Sequence, residues 1–430
     1  MKPSRFLLSL LALFVGLAAS AKSIRFEIDA GSSDRQDCAV TLDVSAYLKK
    51  NSSRVPYLYE IREGRRMPVP CQLVRPDGGS QPLLCFILEG KMPARSSRRF
   101  ELSFGKAKTA GQPAMTVRDN QESLVLSQQG RPILSYRYTL APVPEGVDPV
   151  FRRSGFIHPA YTPSGFVLTT IQPRDHRHHY GIWNPWTHLV YDGKLYDLWN
   201  LGDRLGTVRA TAVGATYQGA VLSGFDALLD HVIFAPAGEK TVMKEKWMVR
   251  AWQASDGFLW DFESQLTPCT ALPVLLQEYR YAGFGYRANE AWTNKNCTMM
   301  TSEGYTRQQI DGTRARWIYV TGESPAGHSG LLLMAAPQNY NSPEPLRIWN
   351  EEANGGRGDV FINFAPTKNT DWQLEPGQTY RLRYRLFAYD GEMTPQRAEQ
   401  LWQDFANPPK VWWEWANMSE IVFDDRIDKK

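Results

Sequence analysis

The stretch Tyr380-Arg381-Leu382-Arg383-Tyr384-Arg385-Leu386-Phe387 decides the fold class. Apolar and charged residues alternate along it, and a period of two sends them to opposite faces of an extended chain. Strand-like runs recur at Ser123-Leu124-Val125-Leu126-Ser127, Thr241-Val242-Met243-Lys244-Glu245-Lys246-Trp247 and Leu331 to Ala335. Turn pairs separate these runs at Asp192-Gly193, Asp311-Gly312, Pro376-Gly377 and Asp390-Gly391. With no long amphipathic helix pattern in residues 114–392, the many short strands predict a large antiparallel β-sandwich. No fixed-period repeat stands out, which disfavours a propeller.

The flanks read differently. Residues 22–113 form a small β module, with Ile24, Phe26 and Ile28 alternating, as do Phe100, Leu102 and Phe104. Gly105 to Pro113 reads as the linker. Residues 393–430 begin with Thr394-Pro395, a cap and first-turn pair for a short helix over Gln396 to Phe405. The remainder, including Trp412-Trp413-Glu414-Trp415, is expected to pack back on the body. At the other end, Lys2 and Arg5 precede the apolar run Phe6 to Ala18 and the small-x-small site Ala19-Ser20-Ala21. That order predicts a signal peptide over residues 1–21, cleaved after Ala21, and a periplasmic or secreted protein. The run falls short of the roughly 20 residues a membrane span needs. No later segment reaches that length, so no integral membrane association is expected.

The formal charge of +4 falls to +2 once Lys2 and Arg5 are removed. A near-neutral chain gives no electrostatic case for nucleic acid. The aromatic content is high, with 14 Trp, 19 Tyr and 19 Phe, and composition alone does not apportion them between a β core and a binding surface. Some are expected to stack on sugars. Five cysteines, Cys38, Cys71, Cys85, Cys269 and Cys297, leave at least one unpaired within the chain. Cys71 and Cys85 flank Pro76-Asp77-Gly78-Gly79 symmetrically. They read equally as a cross-hairpin disulfide or as two buried thiols.

Four of the seven histidines fall within 22 residues, from His158 to His179. His158-Pro159-Ala160-Tyr161-Thr162-Pro163-Ser164-Gly165 leads to Gln172-Pro173-Arg174-Asp175-His176-Arg177-His178-His179-Tyr180-Gly181-Ile182-Trp183-Asn184. The bracketing Pro and Gly place them on ordered loops, where a rigid scaffold displays function. Three readings stand open. The imidazoles transfer protons, with Asp175 or Arg174 orienting a ring or binding a substrate anion. Alternatively His158, His176 and His178 ligate a metal, although no further ligand is identifiable. In the third reading, loop carbonyls satisfy them and the cluster is structural. Glu278 follows the apolar Pro273-Val274-Leu275-Leu276, so burial is expected to raise its pKa and suit a general acid. Arg280, Asn339 and Arg347 are further candidate binders. There is no phosphate-binding glycine loop, dinucleotide fingerprint, H-E-x-x-H, G-x-S-x-G or paired C-x-x-C.

The segment His158–Trp183 resembles a bacterial family of unknown function that carries the label "methane oxygenase PmoA". The resemblance extends to Ser302-Glu303-Gly304, Asp311-Gly312-Thr313-Arg314-Ala315-Arg316-Trp317, Pro337-Gln338-Asn339-Tyr340 and Arg347-Ile348-Trp349, and covers roughly 115–392. A membrane oxygenase needs several spanning helices, and the sequence offers none. What the resemblance implies is kinship with the galactose-mutarotase-like sandwich, a fold used by many sugar-handling enzymes.

The expectation is therefore an all-β protein that cleaves a glycan or glycoside by hydrolysis or elimination. His176, His178, His179, Tyr161 and Glu278 are its catalytic candidates, with Arg174 expected to lower the Tyr161 pKa. His158, Arg174, Asp175, Trp183, Trp186, Arg280, Asn339 and Arg347 are expected to bind the carbohydrate, with Trp183 and Trp186 as a stacking platform. No cofactor is required. A secreted carbohydrate-binding module and a sugar epimerase or mutarotase are the alternatives.

Overall fold

The computed structural model describes residues 23–48, 52–76, 81–107 and 112–414. The expected leader and the last residues of the tail lie outside that range. The strand Tyr380–Asp390 shows what alternation produces here. Leu382, Tyr384, Leu386 and Ala388 enter the main core. Phe387 and Tyr389 enter a second apolar cluster on the other face. Arg385 stays buried on that face because Asp261 accepts from it at 2.6 Å and Phe405 covers its guanidinium. Both faces of the sheet are therefore covered, where the sequence pattern predicts one.

Two eight-stranded antiparallel sheets enclose the main core. One runs Leu346–Ile348, Phe361–Phe364, Gly285–Arg287, Ile182–Trp183, Phe156–Ala160, Arg131–Arg137, Ser123–Gln128, Met115–Asp119. The other runs Gly206–Tyr217, Leu222–Ala235, Gly238–Trp252, Phe258–Pro268, Tyr380–Asp390, Gly327–Ala335, Trp317–Ser324, Cys297–Thr301. Long neighbouring strands with continuous register, such as Gly238–Trp252 against Phe258–Pro268, make the second sheet the rigid wall.

The small module pairs a five-stranded sheet with a three-stranded one over a core of Phe26, Ile28, Leu84, Phe86, Phe100 and Leu102. The strand Lys410–Glu414 pairs with Ile24–Asp29, so the last described strand returns to the first. The helix Pro395–Ala406 starts where expected, with the Thr394 hydroxyl accepting from the Arg397 amide. Its Ala398, Leu401, Trp402 and Phe405 pack between the outer sheet face and the small module. Among the described residues no helix is long and apolar enough to cross a membrane.

The cysteine question has a register answer. Cys71 lies opposite Phe86, and Gln72 lies opposite Cys85. An offset of one residue sends the two thiols to opposite faces of the ribbon. All five cysteines are free.

Candidate active site

The histidine loop closes on itself. The Gln172 amide donates to the His179 carbonyl at 2.8 Å, the His179 amide to the His176 carbonyl at 2.9 Å, and the His176 amide to the Pro173 carbonyl at 3.1 Å. Arg177 donates to the Gln172 carbonyl at 2.7 Å. Gly181 then lets the chain re-enter the sheet. Its φ is +57°, and a Cβ there would lie 2.3 Å from the Ile157 carbonyl oxygen. The tight loop brings three imidazoles together, with ring centroids of His176, His178 and His179 4.8 to 5.4 Å apart.

Asp175 is the hub. Its carboxylate accepts from His176 Nδ1 at 2.8 Å, from Arg287 Nη2 at 3.0 Å and from Asn354 Nδ2 at 2.8 Å. Burial works to raise its pKa, but the bond from His176 and the charge of Arg287 outweigh burial and hold it well below the usual carboxylate range. The carboxylate thus stays ionised and fixes the His176 ring with Nδ1 as donor. His176 Nε2 makes no hydrogen bond to a described residue. The ring lines a cleft of about 370 Å³ with Gln308, Asp311, Arg347, Trp349, Asn350 and Asn354.

His178 and His179 serve differently. Burial, then electrostatic interaction with His176 and Arg153, pulls His178 down to about 3. Burial also pulls the fully enclosed His179 well down. Both rings are neutral near neutral pH, so the expectation that all three histidines supply acid–base groups narrows to His176. His179 stacks on Phe361 at 5.0 Å and touches Trp183, Trp199 and Trp349, forming the floor beneath the loop.

Other expectations are corrected. Trp183 and Trp186 are fully buried, Trp186 in the main core against Trp372, so neither can present a stacking face. The half-buried aromatic at the cleft is Trp349, gripped by Arg287 at 4.7 Å and touching His176 at 4.6 Å. His158 donates to or accepts from Thr169 at 2.8 Å, and no ring contact links it to the other three. Among the described residues no group of three or more His, Cys, Asp or Glu side chains is gathered to hold a metal. Tyr161 is pushed up by burial, the opposite of the lowering expected from Arg174, which is exposed. Glu278 is exposed beyond the end of Val274–Leu276, so the burial argument for it fails. Asn339 is buried, bonding Glu344 at 2.7 Å and the Arg383 backbone, and holds a loop in place. Arg347 does line the cleft, bonded to Asp311 at 2.7 Å. Arg280 is exposed over Tyr279 and Tyr281.

Sequence reasoning missed Arg287 and Asn354, and it singled out Arg347-Ile348-Trp349 without giving Trp349 a role. Arg287 and Asn354 carry no local signal, since they reach Asp175 across 112 and 179 residues.

Comparison with solved structures finds distant likenesses to three carbohydrate-active enzymes. A polysaccharide lyase is 14% identical, with TM-score 0.29, covering 65% of this chain and 33% of its own. The GH36 alpha-galactosidase AgaB of Geobacillus stearothermophilus is 9% identical, with TM-score 0.30, covering 66% of this chain and 41% of its own. A galactose mutarotase related enzyme of Lactobacillus acidophilus is 7% identical, with TM-score 0.25, covering 65% of this chain and 100% of its own. At these scores the likeness decides nothing about chemistry. No curated protein matches the chain. A family model does match residues 123–403, which hold the histidine loop, Arg287 and Trp349. The chain belongs to the family of unknown function DUF6807.

Proposed function

We propose that this protein is a carbohydrate-active enzyme whose proton-transfer group is His176, oriented by Asp175. The observation that carries the reading is the Asp175–His176 pair at 2.8 Å on the wall of an open cleft. An ionised carboxylate on Nδ1 leaves the Nε2 lone pair to take a proton from a bound substrate, and the imidazolium formed is stabilised by the same carboxylate. Arg287 and Asn354 hold Asp175 in place, so the ring is positioned before substrate arrives. Trp349 offers an aromatic edge beside it, and Asn350, Asn354 and Gln308 offer polar groups suited to sugar hydroxyls. The proposed setting is the periplasm or the exterior, on the leader read in residues 1–21.

The test is a panel of neutral and acidic glycans incubated with purified protein, followed for new reducing ends and other products. Turnover is the expected result. Saturable binding without turnover would make the chain a binding module, and neither binding nor turnover would end the carbohydrate reading.

A further inference from the structure

One cation on the cleft wall, Arg347, belongs to a cluster of positive charge that the protein neutralises only in part. Arg347, on the cleft wall with His176, bonds Asp311 at 2.7 Å. Lys368 reaches the other oxygen of Asp311 at 3.6 Å. Its ammonium also meets the Arg280 carbonyl at 3.4 Å, which places Arg280 alongside. Among the described residues no carboxylate pairs with Arg280, whose guanidinium lies over Tyr279 and Tyr281 at 5.5 and 5.4 Å. The nearby acid Asp371 is engaged by the Glu278 amide, and Glu278 itself is exposed to solvent. Two of these three cations therefore share one carboxylate, and Arg280 pairs with none of the described ones. Burial first, and then Arg347 and Arg280, press the Lys368 pKa down against the pull of Asp311. Like charges this close repel, and a bound anion relieves the repulsion.

The cleft also lacks the equipment for ordinary glycoside hydrolysis. That reaction uses two carboxyl groups, one kept protonated by a raised pKa. Of the carboxylates that touch cleft-lining side chains, Asp175 is held well below its usual range, Asp311 is tied to Arg347 and Lys368, Glu351 accepts from Gln308, and Asp359 accepts from Asn354. An imidazole base beside a cationic pocket suits proton abstraction next to a carboxylate whose charge is being neutralised.

We propose that the cleft takes a uronic-acid-containing glycan, that Arg347, Lys368 and Arg280 receive the sugar carboxylate, and that the chain is cleaved by β-elimination. This rests on the carbohydrate reading above. His176 Nε2 takes the proton from C5, the electron pair becomes the C4=C5 double bond, and the C4–O bond breaks. The leaving sugar oxygen takes up the proton from the imidazolium. No oxidant, reductant or water is consumed.

The experiment uses the full chain with polygalacturonate, alginate and the carboxyl-reduced form of each. The expected result is growth of ultraviolet absorbance from a conjugated product with a polyuronate and none with its reduced form. Arg280→Gln, an exposed change, should raise KM about tenfold with little change in kcat, and Lys368→Gln should do the same. New reducing ends without absorbance, equal turnover of the reduced forms, or an unchanged KM in Arg280→Gln would overturn this proposal and leave the carbohydrate reading intact. Failure of any glycan, charged or neutral, to bind or react would overturn both.

Discussion

Of three short histidine–carboxylate pairs among the described residues, two sit in opposite settings, and the third, His328 with Glu392 at 2.8 Å, lies on the exposed surface. Asp175 and His176 meet at 2.8 Å with 24% and 31% of their side chains exposed, beside the cleft. Glu245 and His231 meet at 2.9 Å with both side chains at 0%, inside the sandwich. The buried pair is built into a network. The other Glu245 oxygen accepts from Ser264 at 2.5 Å and from Asn184 at 2.7 Å, drawing on both sheets. A sealed pair cannot reach substrate, and its partners would be stranded by any change. An open pair can exchange protons with a ligand and is supported from one side by Arg287 and Asn354. The bond length is shared, and access and surroundings separate the roles.

Glu245→Ala leaves His231, Asn184 and Ser264 without their shared acceptor in an apolar interior. Chemical denaturation should show a loss of about 3–5 kcal/mol, as for removal of one member of a buried pair. A loss below about 1 kcal/mol would mean the interior is not sealed. Asp175→Asn should act on turnover. Its carbonyl oxygen can still accept from Arg287, while its amide faces His176 and favours the wrong tautomer. About a 100-fold fall in kcat is expected, or about 2.7 kcal/mol in barrier, with a stability change near 1 kcal/mol. Wild-type kcat in this variant would remove Asp175 from the mechanism.

His178 has a folded pKa of about 3, below the usual unfolded value of about 6.5. The unfolded chain therefore takes up this proton first, and folded stability falls as pH drops from about 6.5 toward 3. His178→Gln should remove about 2 kcal/mol of the difference in stability between pH 7 and pH 4, allowing for partial exposure. Parallel stability curves for the variant and the wild type would contradict the assigned neutral state. Trp349→Ala should weaken glycan affinity about tenfold, the size expected of a single stacking ring, read by calorimetry. The smallest effect is expected at the cysteines. Because Cys71 and Cys85 face opposite sides, adding a reductant should leave the melting temperature unchanged, whereas a drop would reveal a disulfide.

Local pattern made much of this legible in the sequence. Alternation in Tyr380–Asp390 identified the strand, and Thr394-Pro395 identified the helix start. The His-rich loop announced itself through its density and its bracketing Pro and Gly. What escaped was set by register and by long-range pairing. Trp183 and Trp186 have aromatic rings suited to sugar, but strand and loop direction turn them inward. Glu278 follows an apolar run, yet the strand ends at Leu276 and the chain emerges into solvent. Cys71 and Cys85 look symmetric about their turn and miss by one residue. Arg287 and Asn354 hold Asp175 from distant parts of the chain, a contact no local spacing encodes.

The central claim is that the open pair acts and the sealed pair supports. Its most direct test is kcat/KM of His176→Ala on a glycan that the wild type turns over, with the melting temperature measured on the same preparation. A fall of at least about 100-fold at a nearly unchanged melting temperature is expected. Activity within a few-fold of wild type in the folded variant would contradict it.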